Sequence, residues 1–505
     1  MKKELKLGVV LSYISMVLGY IVSMLYIPIL LKMVGKGDYG LYNLVLSFIS
    51  YLGLLTLGIG SSYMRYYSKY KYEEREDKIA NLNSVFISIF SVISFIALLV
   101  GIYFSFQITE IFQETLSFAE IKKAEKLMRI LTINTIFSFI NIVFDCYIIA
   151  HEKYTYQKII QMIRIVINPL VVLPLLYLGY GIVALGIGTT FLNMLLIISN
   201  IVYCIKKLKM QFLLNGIEKN FIKDIFAFSI YIFIYMLIDQ INWNIDKFLL
   251  GKYKGTAEVA IYSVGAQLNS YVIQLSLVVS SVFIPYVNNI VARDPYSKEL
   301  TEIFVNVGKV QYFIISLLFT GFLFFGESFL NIWAGKGFKN SFLVGIILIL
   351  PMNFVVIQNL GIEIRKAQNK HKIPTYFMLV VSIFNFLISI PLIKRYGAIG
   401  GSLATSISII INQIFINYYY KKFIKLDIRL FWNNIIKISK GLFFPIIFGI
   451  ILSKLKNNYS YSDIVFLMFI PLYILVYFLS FYFLGLQNIE KQKVLKVITN
   501  KVRRC

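Results

Sequence analysis

Apolar residues run along this sequence in long unbroken stretches rather than in alternation or in short patches of core size. Fourteen stretches can be placed, at 8–31, 41–63, 82–105, 128–150, 158–177, 182–204, 225–249, 260–286, 303–326, 341–362, 374–393, 397–418, 436–453 and 463–485. About 20 apolar residues in a helix cross the roughly 30 Å hydrocarbon core of a bilayer. Continuous runs predict helices, because the strands of a membrane barrel would alternate apolar and polar positions. The pattern therefore predicts an all-α polytopic membrane protein with fourteen transmembrane helices. The hydrophilic connections are short, with no room for a soluble catalytic domain.

Composition agrees with the pattern. The 505 residues are 58% hydrophobic and 15% charged, where a soluble chain carries about a quarter charged residues. Lys and Arg number 50 against 25 acidic residues, a formal charge of +25. Such an excess suggests nucleic acid in a soluble protein, but no basic stretch here adjoins a soluble domain. Lys and Arg also collect in the cytoplasmic loops of membrane proteins. The N-terminus, the C-terminal tail and the loops after even-numbered spans carry 30 of them, the other loops 13. That asymmetry places both termini in the cytoplasm. MKKELKLG with its following apolar run reads as an uncleaved first span, too long for a signal h-region. The amphipathic tail IEKQKVLKVITNKVRR at 489–504 suits anionic lipid at the cytoplasmic surface.

Cys146, Cys204 and Cys505 are scattered, no CxxC occurs, and His151 and His371 stand far apart. No metal-ligand cluster or structural disulfide is expected. No Gly-Lys pair is followed by Ser or Thr in a GxxxxGK[ST] motif, so an ATP-driven pump in one chain is unsupported. No cofactor is implied.

Two internal matches suggest a repeat. LLKMVGKGDYGLYN at 30–43 resembles FLLGKYKGTAEVAIYS at 248–263, and YGIVALGIGTT at 180–190 resembles YGAIGGSLATS at 396–406. The offsets, 220 and 216, nearly agree and fall on equivalent spans. They divide the chain into an N-terminal lobe of spans 1–6 (1–220), a C-terminal lobe of spans 7–12 (221–420), and an appendix of spans 13 and 14 with the basic tail (421–505). Transporters often carry such repeats.

Ionisable residues inside spans cost several kcal/mol unless they face partners or water. Arg164 lies in span 5, in QKIIQMIRIVINPLVVLP. Its forked, permanently charged head suits phosphate oxygens; pairing with a carboxylate such as Asp145, or snorkelling, is the alternative. Arg65 and Arg365 close spans 2 and 10, where the positive-inside bias also accounts for them. Asp239 is the deepest carboxylate, in IYMLIDQINWN of span 7, with Asn242 on the same helix face and Asp246 a further turn on. Such a stripe fits either a water-filled cavity or interhelical hydrogen bonding. Asp246 and Lys247 are adjacent at the outer end of that span.

The stretch ILLKMVGKGDYGLYNLVLSFISYLGLLTLGIGSSYMRY at 29–66 resembles the polysaccharide (O-antigen and capsule repeat-unit) flippases, the Wzx-type proteins of the multidrug/oligosaccharidyl-lipid/polysaccharide exporter superfamily. So do WNIDKFLLGKYKGTAEVAIYSVGAQL at 243–268 and RKAQNKHKIPTYFMLVVSIFNFLISIPLIKRYGAIGGSLATS at 365–406. The resemblance implies two six-helix lobes around a central cavity, with two peripheral helices. It further implies translocation of undecaprenyl-pyrophosphate-linked oligosaccharides across a bacterial cytoplasmic membrane, beside polysaccharide polymerase and chain-length machinery. Cations of the cavity hold pyrophosphate and acidic sugars in that family, a part that Arg65 and Arg164 match by position. A cation-coupled drug exporter, with Asp239 as its coupling site, and a lipid II flippase are the alternatives. A membrane-embedded polymerase or glycosyltransferase would need large outer loops or a catalytic domain with paired carboxylates, and the sequence has neither.

Overall fold

The structure is a computed structural model that describes residues 2–213, 219–459, 461–487 and 491. The amphipathic tail expected at 489–504 thus lies outside the described residues, save Lys491. Among the described residues every regular element is helical. This is the solution available to a chain in lipid, where each backbone N–H and C=O must find its partner within the segment.

The helices of the first half are α1 (Lys2–Leu52), α2 (Gly60–Tyr72), α3 (Glu76–Phe112), α4 (Phe118–Ala150), α5 (Tyr154–Tyr177), α6 (Val183–Val202) and α7 (Lys219–Lys254). Those of the second half are α8 (Thr256–Ser281), α9 (Ile284–Arg293), α10 (Lys298–Trp333), α11 (Lys339–Val356), α12 (Asn359–Ala367), α13 (Lys372–Tyr419), α14 (Ile428–Ser439), α15 (Phe443–Tyr459), α16 (Asp463–Leu467) and α17 (Ile470–Ser480). Among the described residues, ten helical stretches are long and apolar enough to cross a membrane, eleven if the pair α8 and α9, bent by 49°, makes one crossing. Two of the expected fourteen are absorbed for a physical reason. Both α1 and α13 run through two expected spans, joined across a non-helical glycine, Gly35 in α1 and Gly397 in α13. Helix ends elsewhere follow local chemistry. Ser117 and Glu120 form a capping box that opens α4, and Asp427 accepts the Leu430 N–H at 2.8 Å to open α14.

The described residues fall into two compact units, 1–263 with 385–401, and 264–384 with 402–505. In the first, Tyr63, Phe86, Phe90 and Tyr147 pack in a buried cluster between α2, α3 and α4. The Tyr63 hydroxyl donates to Asn83 Oδ1 at 2.6 Å, so its polar end is satisfied in the core. In the second, Phe304 stacks on Phe431 with centroids 4.6 Å apart, and α14 buries Ile428, Phe431, Ile435 and Ile438 along one face. Large apolar side chains such as Phe106, Leu170 and Ile414 point outward, as lipid-facing positions do.

The sequence repeat is visible in backbone geometry. Gly35 and Gly255, 220 residues apart, have φ of 79° and 84°, and Gly181 and Gly397, 216 apart, have 55° and 58°. Side chains would be strained at these angles, so both turns of the motif recur with their glycines. A side-chain contact recurs with them. Asn200 Nδ2 donates to Asn141 Oδ1 at 3.1 Å in the first unit, and Gln358 Nε2 to Asn417 Oδ1 at 3.0 Å in the second. Each partner lies 217 residues from its equivalent. Each pair also spans 59 residues of chain, so α4 meets α6 in the same register as the break before α12 meets α13.

Candidate functional site

On α4 the polar residues Asn134, Ser138, Asn141 and Asp145 follow at steps of four, three and four, which puts them on one face. Thr189, Asn193 and Asn200 do the same on α6. The two faces meet. Asn193 Nδ2 donates to Asn134 Oδ1 at 2.7 Å and to Ser138 Oγ at 2.8 Å. Seven residues on, Asp145 accepts from Asn141 Nδ2 at 2.7 Å and from Asn200 Nδ2 at 2.9 Å. The result is a polar ladder inside a bundle of membrane helices, tied together by carboxamides.

Beside the ladder, α1 and α5 complete a cavity of about 430 Å³. Arg164 and Asn168, one turn apart on α5, line it together with Asn134, Ser138 and Asn193. The apolar part of its wall comes from Val22, Ile165, Pro169 and Leu192, with Tyr26 alongside. Gly19 of α1 lies against Ile165, its position for a Cβ 3.8 Å from Ile165 Cδ1. Arg164 acts electrostatically on Asp145. No ion pair within 4 Å joins Arg164 to any described carboxylate, because the carboxamides of Asn141 and Asn200 hold Asp145. Among the described residues the guanidinium therefore has no carboxylate partner, and Arg164 is exposed where it lines the cavity.

Other residues singled out in the sequence lie elsewhere. Asp246 is 1% exposed and accepts the Tyr262 hydroxyl at 2.7 Å and the Ser389 hydroxyl at 2.9 Å; Lys247 beside it is half-buried. Asp239 is exposed and takes a hydrogen bond from the Trp243 side chain. Asn242 is half-buried on the same helix, where Asn244 Nδ2 donates to Gln240 Oε1 at 2.7 Å. Arg65 is exposed on α2, and Arg365 is buried on α12 with its Nε unpartnered. The structure thus brings Arg164 and Asp145 into one neighbourhood. The carboxamides of the ladder carry no charge and were missed in the sequence, although the spacing 134, 138, 141, 145 in NTIFSFINIVFD was a readable signal.

The ladder makes a stability prediction. Replacing Asn200 by Leu removes a donor from Asp145 and leaves Asn141 Oδ1 without its partner. A loss of about 2 kcal/mol is expected, read as a lower thermal midpoint in detergent. An unchanged midpoint would show that the ladder carries no stability.

Residues 5–291 match the family model described as polysaccharide biosynthesis protein. A Shigella flexneri protein assigned as an O-antigen transporter is 21% identical over 407 residues, 77% of this chain and 91% of that protein. An uncharacterized membrane protein of Methanocaldococcus jannaschii is 22% identical over 428 residues, covering 82% of this chain and 83% of its own. Among solved structures, the lipid II flippase MurJ in an inward closed conformation superposes with a TM-score of 0.73 at 20% identity, over 94% of this chain and 97% of its own. An inward-facing multidrug transporter of the MATE family and MOP superfamily gives 0.65 at 12% identity, over 81% and 94%. The chain is a multi-pass membrane protein with the helical fold of these transporters, and it belongs to the polysaccharide biosynthesis protein family.

Proposed function

We propose that the protein is a flippase that carries undecaprenyl-pyrophosphate-linked oligosaccharide repeat units from the cytoplasmic to the outer leaflet of a bacterial cytoplasmic membrane, supplying capsule or O-antigen assembly. Spans 1–6 and 7–12 act as two lobes in alternating access, spans 13 and 14 sit beside them, and both termini face the cytoplasm. The observation that carries this reading is Arg164, a guanidinium without an ion pair among the described residues, on a polar cavity of a polysaccharide-biosynthesis family member. A fork of donors on the cavity wall is matched to pyrophosphate oxygens and mismatched to the cationic drugs of a multidrug exporter. Arg65 and Arg365 are further cations for the headgroup, and Asp239 and Asp246 are the carboxylates available for ion coupling. Lipid II, another polyprenyl-pyrophosphate glycan, is a second cargo, favoured by the superposition on MurJ.

The test uses proteoliposomes holding a fluorescent polyprenyl-pyrophosphate oligosaccharide in the inner leaflet, with an impermeant quencher outside. Protein-dependent quenching is expected, with no efflux of cationic dye from the same vesicles. Dye efflux without glycolipid exposure would replace the flippase by an exporter.

A further inference from the structure

The face of α10 that α17 covers continues, uncovered, toward the start of α10. Tyr473 meets Phe325 with ring centroids 5.4 Å apart, the Tyr477 hydroxyl lies 2.8 Å from Ser316 Oγ, and Phe481 meets Phe313 at 5.0 Å. Residue numbers rise along α17 as they fall along α10, so the two helices run antiparallel. Steps of three and four carry the same face down from Phe313 through Val310, Asn306 and Glu302 to Glu299. These last four are exposed. They border a cavity of about 370 Å³ whose apolar wall includes Phe283, Ile303 and Val307.

The charge of this cavity is opposite to that of the chain. Lys and Arg number 50 against 25 acidic residues, yet Glu299 and Glu302 make no ion pair among the described residues. The Tyr286 hydroxyl donates to Glu299 Oε1, a neutral partner that leaves both negative charges uncompensated. A divalent metal would need more oxygen ligands, and no group of three metal-ligating side chains occurs among the described residues. The phosphate of an anionic lipid would be repelled by both carboxylates. What fits is a segment that carries cations for the rim and apolar side chains for the wall.

The chain holds such a segment in reach. IEKQKVLKVITNKVRR at 489–504 carries six cations against one acid, with Val494, Ile498 and Val502 at steps of four. Phe481 is level with Phe313, and helices rise about 1.5 Å per residue. A chain keeping the antiparallel course therefore reaches Glu302 and Glu299 about 11 and 14 residues later. Those positions are Gln492 and Leu495, set among Lys491, Lys493 and Lys496. Lys491 Nζ donates to the Phe483 carbonyl at 3.0 Å, so the segment starts beside the end of α17.

We propose that this cavity on α10 is an intramolecular docking site for residues 489–504, whose lysines pair with Glu299 and Glu302 while its apolar side chains fill the wall. Docking there holds the tail off anionic lipid, the other surface that suits it. Salt and lipid charge then decide which of the two the tail occupies. The inference is independent of the cargo.

The test follows release of the tail by proteinase K from the full chain in zwitterionic nanodiscs holding one chain each, a format that excludes the tail of a second copy. Glu299→Gln with Glu302→Gln should speed release about tenfold, the worth of two or three exposed ion pairs. High salt should do the same to the wild type. Lys493→Glu with Lys496→Glu should be equally labile, and adding Glu299→Lys and Glu302→Lys to it should restore protection. Restoration by the swap, at an unchanged thermal midpoint, separates docking from a loss of fold. Release that ignores the glutamates, or a charge swap that fails to restore protection, would overturn the site. Protection that appears only with anionic lipid would assign the tail to the membrane and overturn it as well.

Discussion

Arg164→Ala should lower the rate of glycolipid flipping about 100-fold, the roughly 3 kcal/mol of two charge-assisted hydrogen bonds to the headgroup. The size follows from the geometry. Asn141 and Asn200 hold Asp145, so the guanidinium keeps its donors for a ligand instead of a neighbour. Removing it leaves the cavity with carboxamides but without a charge to offset the pyrophosphate. Arg164→Lys keeps the charge and loses the fork, so an intermediate rate is expected. The fold should be unaffected, since the side chain makes no ion pair that the variant would break. A melting midpoint unchanged in both variants, with graded transport, separates a ligand role from a structural one. If Arg164→Ala transported at the wild-type rate, the site assignment would fail.

The largest effect on assembly is expected at Gly40→Ala. A Cβ there would lie 1.8 Å from the Thr256 carbonyl oxygen and 3.1 Å from the Ala260 nitrogen. Both obstacles are backbone, so no rotamer change relieves the clash and α1 must move away from α8. A loss of about 3 kcal/mol is expected, seen as a fall in thermal midpoint and in folded yield. Gly321→Ala is the control. Its Cβ would meet nothing within 4 Å, and alanine is the better helix former, so its midpoint should hold or rise. Equal behaviour of the two variants would contradict the close approach.

Some of this was legible in the sequence and some was not, for physical reasons. Hydropathy marks where a chain enters lipid, so the apolar stretches become helices. It does not mark whether two spans meet in a loop or through a kinked glycine, which is why Lys2–Leu52 is one element where two spans were expected. The same blindness affects α14. Its apolar residues recur at helical spacing on one face, a period that a search for continuous runs passes over. The repeat was readable because glycines at forced backbone angles cannot drift, and Gly35, Gly181, Gly255 and Gly397 all sit in the matched segments. Arg164 stood out because a charge in a span is costly. The carboxamide ladder did not stand out, because Asn is cheap enough to pass as interhelical glue. Its meaning depends on α4 and α6 meeting with a fixed 59-residue register, which is a tertiary fact.

The measurement that bears most directly on the central claim is the initial rate at which an inner-leaflet polyprenyl-pyrophosphate oligosaccharide becomes accessible to an external quencher, compared across protein-free, wild-type and Arg164→Ala vesicles. Rapid exposure with the wild type, and near-background exposure with the variant, is the expected result. No exposure above protein-free vesicles with the wild type would contradict the account.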